Sequence, residues 1–411
     1  MRKLPQGGHM KMLIPVVLLC LGLVPVAAAR NADIIRIGII NDQSSVFSDA
    51  DGMNTVLAAK MAVEDFGGKV LGKPVEIIAA DHQGKPDIGA GLAREMLDQK
   101  GVSAIVVGGN SAVVMAIQEI TKQSGHVMMN VIGISSALSN AACSPTGFHW
   151  FIDTYSAAKT YAIAVTKEGG KNWFIIAPDY TFGHAFVTDL TKQVTKAGGK
   201  VVGTVFHPLG QPDFGSLILQ AQASNADVIA FSTSGLDFNN AIKQAHEFGL
   251  NKDGRRIIGM VVDLLTIHAI GIELAQGLEF VSPGEWNQSP EAERFSRRFM
   301  EHSKAHTPPT SGHMAAYSVV GHYLKAVQAA GTTDGPAVAA KMKELPVDDF
   351  YANGAKVRAD GRLMIDIKLM RVKPAAEQKG PFDYTQLISS TPGVDAFRPA
   401  SESECPLLKQ P

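Results

Sequence analysis

The chain has 411 residues, of which 45% are hydrophobic and 19% are charged, the balance of a folded globular protein with room for two or three domains. Lys and Arg number 38 against 39 Asp and Glu, and a net charge of -1 argues against a nucleic-acid-binding protein, which needs a clustered positive surface. Three cysteines exclude a disulfide-dense scaffold and a CxxC-type zinc site. The composition therefore favours a soluble α/β protein.

The chain begins with a predicted secretory signal peptide over residues 1–29. Basic residues precede an apolar run from 12 to 26, which ends in a small-residue cleavage site at Ala29. A membrane anchor would need roughly 20 apolar residues, and two prolines interrupt a run that is already shorter. A lipid anchor on Cys20 would need a small residue where Leu19 stands. The segment therefore predicts an exported, periplasmic protein.

Beyond residue 33 the chain contains one long internal repeat. The apolar segment 34–40 predicts a strand buried on both faces of a parallel sheet, followed by a polar loop and an amphipathic helix. The stretch 67–111 then reads as turn, strand, turn, helix and strand, and the same order recurs over 198–235. An offset of about 130 residues is too long for a solenoid repeat. The sequence therefore predicts an α/β fold of two similar, doubly wound parallel-sheet lobes.

Polar loops follow the predicted strands of both lobes. In open parallel sheets ligands bind beyond the carboxyl ends of the strands, so two facing lobes make a cleft at these loops. Several of the loops open a helix, whose free N–H groups and dipole favour an anion. Serine and asparagine at such positions are also the preferred N-caps, so each residue can be a cap, a ligand donor or both. The loops cover residues 42–51, 109–111, 133–136, 179–180 and 233–235.

No pattern in the chain indicates catalysis, a metal site or a bound cofactor. The GxGxxG, GxxxxGK[ST] and GxSxG motifs do not occur, so neither a nucleotide site nor a nucleophile elbow is predicted. His302 and His306 share a helical spacing with His313 nearby, but without an HExxH pattern a solvated helix face is the better interpretation. We therefore expect a binding protein rather than an enzyme.

Two cysteines lie beyond the signal peptide, Cys143 and Cys405. Cysteines of an exported protein usually pair, because the compartment is oxidising. A bridge would tie the C-terminus back to a segment far earlier in the chain and close a large loop. The alternative is a buried Cys143 and a free Cys405 in a loose tail. The compartment favours the bridge.

Several stretches beyond residue 33 carry a family resemblance. They are 58–67 (AAKMAVEDFG), 179–184 (DYTFGH), 241–245 (AIKQA), 315–317 (AAY), 326–327 (AV) and 329–331 (AAG). In this combination the chain resembles the type I solute-binding proteins of bacterial ABC importers, in the branched-chain amino-acid receptor family. Residues 143–145 (CSP) and 402–406 (ESECP) resemble segments that recur in a subgroup whose members take up aromatic acids, which supports the disulfide.

The resemblance implies a type I periplasmic binding protein, with its two lobes joined by a three-crossover hinge. The first lobe is expected over 34–152 and 280–346, the second over 153–279 and 347–400, with a C-terminal tail over 401–411. The implied protein is a periplasmic monomer that captures a small carboxylate by hinge closure. It uses no cofactor and hands the ligand to an ABC permease and its ATPase subunits at the membrane.

The resemblance also implies the residues of a ligand site, on the same loops as the helix-start argument. The first lobe is expected to hold the ligand carboxylate at helix starts and to pack an aromatic ring on the ligand, where the family often has Tyr. These residues are Asn110, Ser111, Ser135 and Ser136, with the ring of Phe47. The second lobe is expected to close the cleft with Tyr155, Tyr180, Thr233 and Ser234. Trp286 either stacks on a ligand ring or serves as a core or hinge tryptophan.

One departure from the family pattern bears on the ligand. The amino-acid receptors of this family bind the ligand ammonium with a Glu of the second lobe, where this chain reads Gly-Met-Val-Val-Asp over 259–263. Burying an ammonium without a partner costs several kcal/mol, so an amino-acid ligand is disfavoured unless Asp263 replaces that Glu. Together with the resemblance to the aromatic-acid subgroup, this departure implies an aromatic acid as the ligand. A branched-chain or other amino-acid receptor, and a sensory binding protein without an importer, stay open as alternatives.

Overall fold

The computed structural model describes Met1, Leu4, residues 34–250 and residues 254–409. Except for Met1 and Leu4, the predicted signal peptide therefore lies outside the described residues. Within these ranges no helix is both long enough and apolar enough to cross a membrane. The described chain folds into two α/β lobes, each built on one large sheet.

The first lobe is built on a sheet near the start of the described chain. Its strands are β1 (Ile35–Asn41), β2 (Lys69–Val70), β3 (Lys73–Asp81), β4 (Val102–Val107), β5 (Val127–Asn130) and β6 (Gly147–His149). The order is β2-β3-β1-β4-β5-β6, and neighbours are parallel except for β2 and β3. Ala104 and Val106 of β4 enter one apolar core, whereas Ile105 and Val107 enter another. The sheet is thus buried on both faces, which explains the continuous apolar strands.

The strands after β6 form the sheet of the second lobe and one separate hairpin. These are β7 (Asn172–Pro178), β8 (Lys200–His207), β9 (Val228–Phe231), β10 (Arg256–Gly259), β11 (Glu279–Ser282), β12 (Val347–Asp348), β13 (Asn353–Ala355), β14 (Ile367–Val372) and β15 (Thr385–Thr391). In the described ranges β12 and β13 form a separate hairpin, and the others form one sheet ordered β15-β14-β11-β10-β9-β7-β8.

The two sheets share one strand order, which confirms the predicted pair of doubly wound lobes. The first sheet contains β3-β1-β4-β5-β6 and the second contains β8-β7-β9-β10-β11, so in both the chain starts at an inner strand and winds outward on either side. The sheets are parallel except at β2, which pairs with β3 in the antiparallel sense, and at one edge of the second sheet. Strands β14 and β15 add to the free edge of β11 in the antiparallel sense, because the chain returns to this lobe as a hairpin.

Helices cover both faces of each sheet. They are α1 (Gly52–Asp65), α2 (Pro86–Asp98), α3 (Ser111–Ser124), α4 (Thr154–Lys167), α5 (Thr181–Lys196), α6 (Gly215–Ala223), α7 (Gly235–Glu247), α8 (Leu264–Ile270), α9 (Ile272–Ala275), α10 (Pro290–His302), α11 (Ser311–Ala330), α12 (Gly335–Glu344) and α13 (Gly393–Ala396). Although α10, α11 and α12 come after the second sheet has begun, α10 and α11 pack on α1, and α12 packs on β5 and α11. The first lobe is therefore made of two separate stretches of chain.

The points where the chain crosses between lobes differ from the predicted boundaries. The second sheet includes β11 up to Ser282, so the second crossover begins after Ser282 and not between 279 and 280. In the β12–β13 hairpin, the ring of Phe350 lies 4.7 Å from that of Phe295 and 5.2 Å from that of Tyr317, on α10 and α11. The hairpin thus packs on the first lobe, and the third crossover follows it instead of starting at 347.

A buried arginine joins two of the crossovers. Arg362, in the third crossover, is fully buried and forms an ion pair of 2.9 Å with Asp153 in the first. It also donates to the carbonyl oxygens of His149 and Phe151 and to Nδ1 of His149. Burial and the charge of Arg362 lower the pKa of His149 well below its usual range, so this imidazole is neutral and accepts the bond. The guanidinium lies over the ring of Phe397 at 4.7 Å.

The predicted disulfide is present. Cys143 and Cys405 are bonded, with 5.8 Å between their Cα atoms and 262 residues between them in the chain. Cys405 is fully buried, and the N–H of Glu404 donates to the side-chain oxygen of Asn140 at 2.7 Å. The last described residues are therefore fastened to the first lobe and do not form a loose tail.

We expect Arg362→Met to destabilise the protein by about 3–5 kcal/mol, because Asp153 would keep a buried charge without a partner. Urea unfolding at neutral pH, followed by circular dichroism, measures the change. Arg297→Met is the matched control, since Arg297 makes an exposed ion pair with Glu293 on α10 and should cost less than about 1 kcal/mol. Equal losses in the two variants would contradict a structural role for the buried cluster.

Candidate functional site

The two lobes touch across the cleft. The carbonyl oxygen of Val46, in the first loop of the first lobe, lies 2.3 Å from the point where a Cβ would stand on Gly235, at the start of α7. Gly235 also has a φ of 60°, in the left-handed region, so glycine is the residue that fits this close approach. Helices α3 and α5, one from each lobe, are also in contact. The cleft is therefore closed at these loops.

Two buried aspartates shape the first loop, which carries Phe47. Asp42 accepts bonds from three backbone N–H groups of the loop, at 2.7–3.3 Å. Asp51 accepts from the N–H of Asp42 at 3.0 Å, and burial raises the pKa of Asp51 to about 6. Phe47 is 9% exposed and belongs to none of the apolar cores of the described residues. The loop thus holds a buried ring at the cleft, beside the Val46 contact.

Ser111 joins two loops of the first lobe. Its Oγ accepts from the N–H groups of Ile134 and Ser135, both at 3.2 Å. Both bonds use the lone pairs of the oxygen, so the hydroxyl hydrogen stays available for an acceptor. Ser111 is also the first residue of α3, where N–H groups lack helical partners. The predicted carboxylate position therefore offers donors to an anion.

Two further predicted residues hold buried hydroxyls that lack a hydrogen-bond partner in the described part of the chain. They are Ser135, which is fully buried after β5, and Thr233, which is 1% exposed after β9. A buried hydroxyl without a partner costs about 1–3 kcal/mol, so folded proteins keep few of them. One hydroxyl comes from each lobe, and both lie at the carboxyl ends of strands, where the topology predicts a ligand.

The side chain of Asn110 caps a helix in this arrangement, and a ligand contact by this residue stays a prediction. Its Oδ1 accepts from the N–H of Ala112 at 2.8 Å and caps α3, while its Nδ2 donates to the carbonyl of Gly84 at 3.4 Å. Both halves of the amide are therefore occupied. Of the two roles that the sequence left open for this residue, the structure assigns the helix cap.

The hydroxyls of Ser136 and Tyr155 are also engaged within the chain. The hydroxyl of Ser136 donates to Asp189 of α5 at 2.7 Å, and that of Tyr155 donates to Glu402 at 3.2 Å. Tyr155 is 1% exposed and lies beneath the C-terminal segment instead of facing the cleft. Each hydroxyl thus has an acidic partner from a distant part of the chain, and a ligand contact by either residue stays a prediction.

Tyr180 and Ser234 stay at the cleft edge of the second lobe. Tyr180 is half-buried at the start of α5, with its ring 5.8 Å from that of Phe182. Ser234 is half-buried, precedes α7 and makes no side-chain bond with any described residue, so its hydroxyl is available. A ligand role for both residues stays a prediction.

Two small cavities lie between the lobes near the hinge. The first, of about 30 Å³, has mostly apolar walls. Its lining includes Ile132, Phe151, Met260, Val281 and Asp263. The second, of about 10 Å³, is lined by Asp263, Glu285, Trp286, Thr310 and Ser311, among others. Both volumes are far below the ~150 Å³ that holds benzene, so neither cavity by itself accommodates a ring-sized ligand.

The second cavity carries two half-buried acids, one of them a predicted site residue. Asp263 caps α8, where its Oδ1 accepts from the N–H of Thr266 at 2.8 Å, and burial raises its pKa with a further contribution from the nearby Asp49. Burial and the charge of Asp263 also raise the pKa of Glu285, the neighbour of the half-buried Trp286. Glu285 was not among the predicted site residues, because no pattern in the sequence around it indicates that it reaches the cavity of Asp263.

Thr310 and Ser311, at the start of α11, line both cavities and were also missed. Thr310 and His313 form a reciprocal capping box, in which the N–H of Thr310 donates to Nδ1 of His313 at 3.1 Å. Nε2 of His313 therefore carries the hydrogen and donates to the carbonyl of Asp51 at 3.3 Å. The Thr-x-x-His spacing ahead of an alanine-rich run marks a helix start, but only the fold places that start at the cleft.

The three histidines considered as metal ligands have different surroundings. His302 is exposed, His306 bonds the carbonyl of Met300 through its Nδ1 at 2.9 Å, and His313 is the buried cap of α11. Over 34–250 and 254–409 no group of three or more potential ligands could hold a metal ion.

Comparison with known proteins identifies a matching family and similar solved structures. Residues 34–380 match the family model described as "Periplasmic binding protein". A periplasmic binding protein from Burkholderia mallei is 41% identical, with a TM-score of 0.89 over 92% of this chain and 99% of that one. A branched-chain amino acid ABC transporter periplasmic ligand-binding protein from Burkholderia xenovorans LB400 is 34% identical, with a TM-score of 0.82 over 91% of this chain and 100% of that one.

A more distant solved structure shares the fold alone. It is an ABC transporter solute-binding protein from R. palustris in complex with 4-hydroxybenzoate. It is 21% identical, with a TM-score of 0.80 over 92% of this chain and 100% of that one. The architecture of the two lobes is thus common to proteins whose sequences have diverged widely.

The buried His313 predicts a loss of stability in acid. Burial lowers the pKa of His313 to about 4 from 6.5, so between these pH values the unfolded chain takes up a proton that the folded protein refuses. The free energy of unfolding should therefore fall by roughly 3 kcal/mol from this residue as the pH drops from 7 to 4. Urea unfolding across this range should show a smaller fall in His313→Gln, which keeps a capping side chain.

His302→Gln is the matched control, because His302 is exposed on α10 and should leave the pH profile unchanged. The same acid sensitivity in His313→Gln as in the unsubstituted protein would show that His313 is not the responsible group.

Proposed function

The chain belongs to the periplasmic binding protein family, and on that basis we propose that it is the substrate-binding component of an ABC transporter for a small aromatic carboxylate. The ligand binds between the two lobes and is enclosed by hinge closure. The loaded monomer then delivers it to a membrane permease with ATPase subunits.

The unpartnered hydroxyls of Ser135 and Thr233 are the observation that carries this proposal. A carboxylate accepts several hydrogen bonds, and bonds to a charged acceptor are worth about twice those between neutral groups. The free hydrogen of Ser111 and the start of α3 add donors beside Ser135. Because the two hydroxyls belong to different lobes, a ligand that bonds both stabilises the closed form more than the open one.

The rest of the cleft supports a ring on the ligand. The ring of Phe47 is buried at the first loop, the larger cavity has apolar walls, and Trp286 lines the smaller one. Aromatic side chains give a flat apolar ligand offset or edge contacts beyond simple burial. The R. palustris protein that shares this fold was solved with 4-hydroxybenzoate, a ligand of this class.

A second candidate ligand class is an amino acid, which the position of Asp263 favours. Its carboxyl group lines both cavities, close enough to Glu285 for each to affect the other. If Asp263 is ionised, it can pair with a ligand ammonium in the manner of the missing family Glu. If it is protonated, it is neutral and can donate to a ligand hydroxyl. The B. xenovorans relative carries a branched-chain amino acid name.

We expect Ser135→Ala and Thr233→Val each to weaken carboxylate binding at least tenfold, because each removes a bond to a charged acceptor. Neither change should lower the stability of the ligand-free protein, since the hydroxyls have no partner there to lose. Calorimetric titration with benzoate and 4-hydroxybenzoate, together with thermal unfolding, measures both quantities.

Thr160→Val is the matched control for these variants. Thr160 holds another buried, unpartnered hydroxyl, but in the body of α4 instead of at a strand end. Its replacement should leave affinity unchanged. Unchanged affinity in Ser135→Ala and Thr233→Val would refute the proposed site.

Asp263→Asn separates the two ligand classes. For an aromatic carboxylate, affinity should rise or stay level in the variant, because a like charge is removed from the cleft. In the unsubstituted protein that affinity should fall as rising pH ionises Asp263. For an amino acid such as L-leucine, affinity should fall at least tenfold in the variant and should increase with pH in the unsubstituted protein.

Calorimetry at several pH values distinguishes these outcomes. Asp334→Asn, which also replaces an aspartate cap but on α12, is the control and should change neither affinity. Tight binding of L-leucine that Asp263→Asn abolishes would reject the aromatic acid in favour of the amino acid.

A further inference from the structure

The C-terminal segment runs from the hinge across the second lobe to the first. We name residues 397–405 the C-terminal strap. It begins at the hinge, where Phe397 lies under Arg362 and where Arg358 donates to the carbonyl of Arg398 at 2.7 Å. It ends at the disulfide of Cys405 with the first lobe. The strap therefore connects the two lobes covalently, in addition to the crossovers.

Between its ends the strap lies on helices α4 and α5 of the second lobe. The guanidinium of Arg398 stands 4.3 Å from the centre of the Tyr155 ring, whose hydroxyl bonds Glu402. Glu402 is also within 3.3 Å of Lys192 and 3.5 Å of Lys196. These contacts hold the strap against the second lobe along its length.

Asp189, on α5, receives bonds from three parts of the chain. Arg398 of the strap reaches its Oδ1 at 2.9 Å. Thr154, where the first crossover enters α4, and Ser136 of the first lobe donate to its Oδ2 at 2.6 and 2.7 Å. Asp189 is 4% exposed, so the bond from Ser136 is a buried contact between the lobes. A buried carboxylate of this kind depends on all its donors.

We propose that Asp189 is a positioning residue for lobe closure. Arg398 orients its carboxylate, which accepts a hydrogen bond from the Ser136 hydroxyl when the lobes meet, and the Cys143–Cys405 bridge keeps the strap in place. We call this arrangement the latch. The inference rests on the proposed function, in which closure encloses the ligand. None of these residues needs to touch the ligand.

The energetic argument concerns the difference between the open and closed forms. A bond from a hydroxyl to a buried carboxylate is stronger than one between neutral groups. Opening the cleft would remove the Ser136 donor and would also break the bond that the N–H of Ser136 donates to Oγ1 of Thr154 at 3.1 Å, while Arg398 and Thr154 stay on the same side as Asp189. The latch therefore favours the closed form by an amount that does not depend on which ligand is bound.

The test measures closure with and without ligand. We expect Ser136→Ala to raise the ligand dissociation rate roughly tenfold and to increase the radius of gyration of the ligand-free protein in X-ray scattering. Ser136→Thr keeps the hydroxyl and should restore both quantities. Ser144→Ala is the control, because the hydroxyl of Ser144 pairs with Thr146 inside the first lobe.

The strap is tested by removing the bridge with Cys143→Ser and Cys405→Ser together. This variant should shift the dissociation rate and the scattering in the same direction as Ser136→Ala. Combined with Ser136→Ala it should add little, because both changes release the same latch. Fully additive effects would overturn the role of the strap, and normal scattering and dissociation in Ser136→Ala would overturn the latch.

The design also separates this inference from the proposed function. If neither benzoate, 4-hydroxybenzoate nor L-leucine binds, the proposed ligand classes fail, while the ligand-free scattering still decides on the latch. If the ligands bind as proposed but Ser136→Ala behaves like Ser144→Ala, the latch fails alone.

Discussion

The arrangement of the lobes depends on the buried guanidinium of Arg362. Segments that cross between two lobes have little sheet or helix structure of their own to fix them, so a shared anchor decides their geometry. Arg362 supplies it by bonding the carbonyls of the first crossover and the carboxylate of Asp153 from a position in the third. A charge in this environment cannot be left unpaired without a large penalty, so the two crossovers stay together. We expect the lobes to pivot about this cluster.

Buried polar groups at the site differ in one respect from those of the hinge. The carboxylates of Asp153 and Asp189 are paired with arginines, whereas the buried hydroxyls of Ser135 and Thr233 have no partner among the described residues. An unsatisfied pair at a cleft lowers the stability of the ligand-free protein, and a ligand that supplies the acceptors restores it. The aspartates of the first loop add preorganisation, because Asp42 fixes the backbone that presents Phe47.

A feature could be predicted from the sequence when the interactions that create it are local in the chain. The two lobes were predictable, since the apolar strands and the repeated order of elements are patterns of neighbouring residues. The site loops were also predictable, because their position after parallel strands follows from topology. The partners of Ser136 and Tyr155 lie 53 and 247 residues away, and no local pattern encodes such pairings. At Asn110 the sequence does not separate a helix cap from a ligand donor, because both roles call for the same residue type at the same position. Only the coordinates show which bonds its side chain makes.

The first lobe is made of two separate stretches of chain, and this affects the order in which the parts of the protein can fold. Its sheet is finished by His149, yet α11 and α12, which bury one face of that sheet, come only at Ser311–Ala330 and Gly335–Glu344. A chain synthesised from its N-terminus therefore carries a sheet with one incompletely covered apolar face until residues 311–344 have been made, the condition under which partly folded chains associate with one another. The lobe that starts first is thus completed only after the second sheet has been made up to β11, and Cys405, which closes the bridge to it, comes later still.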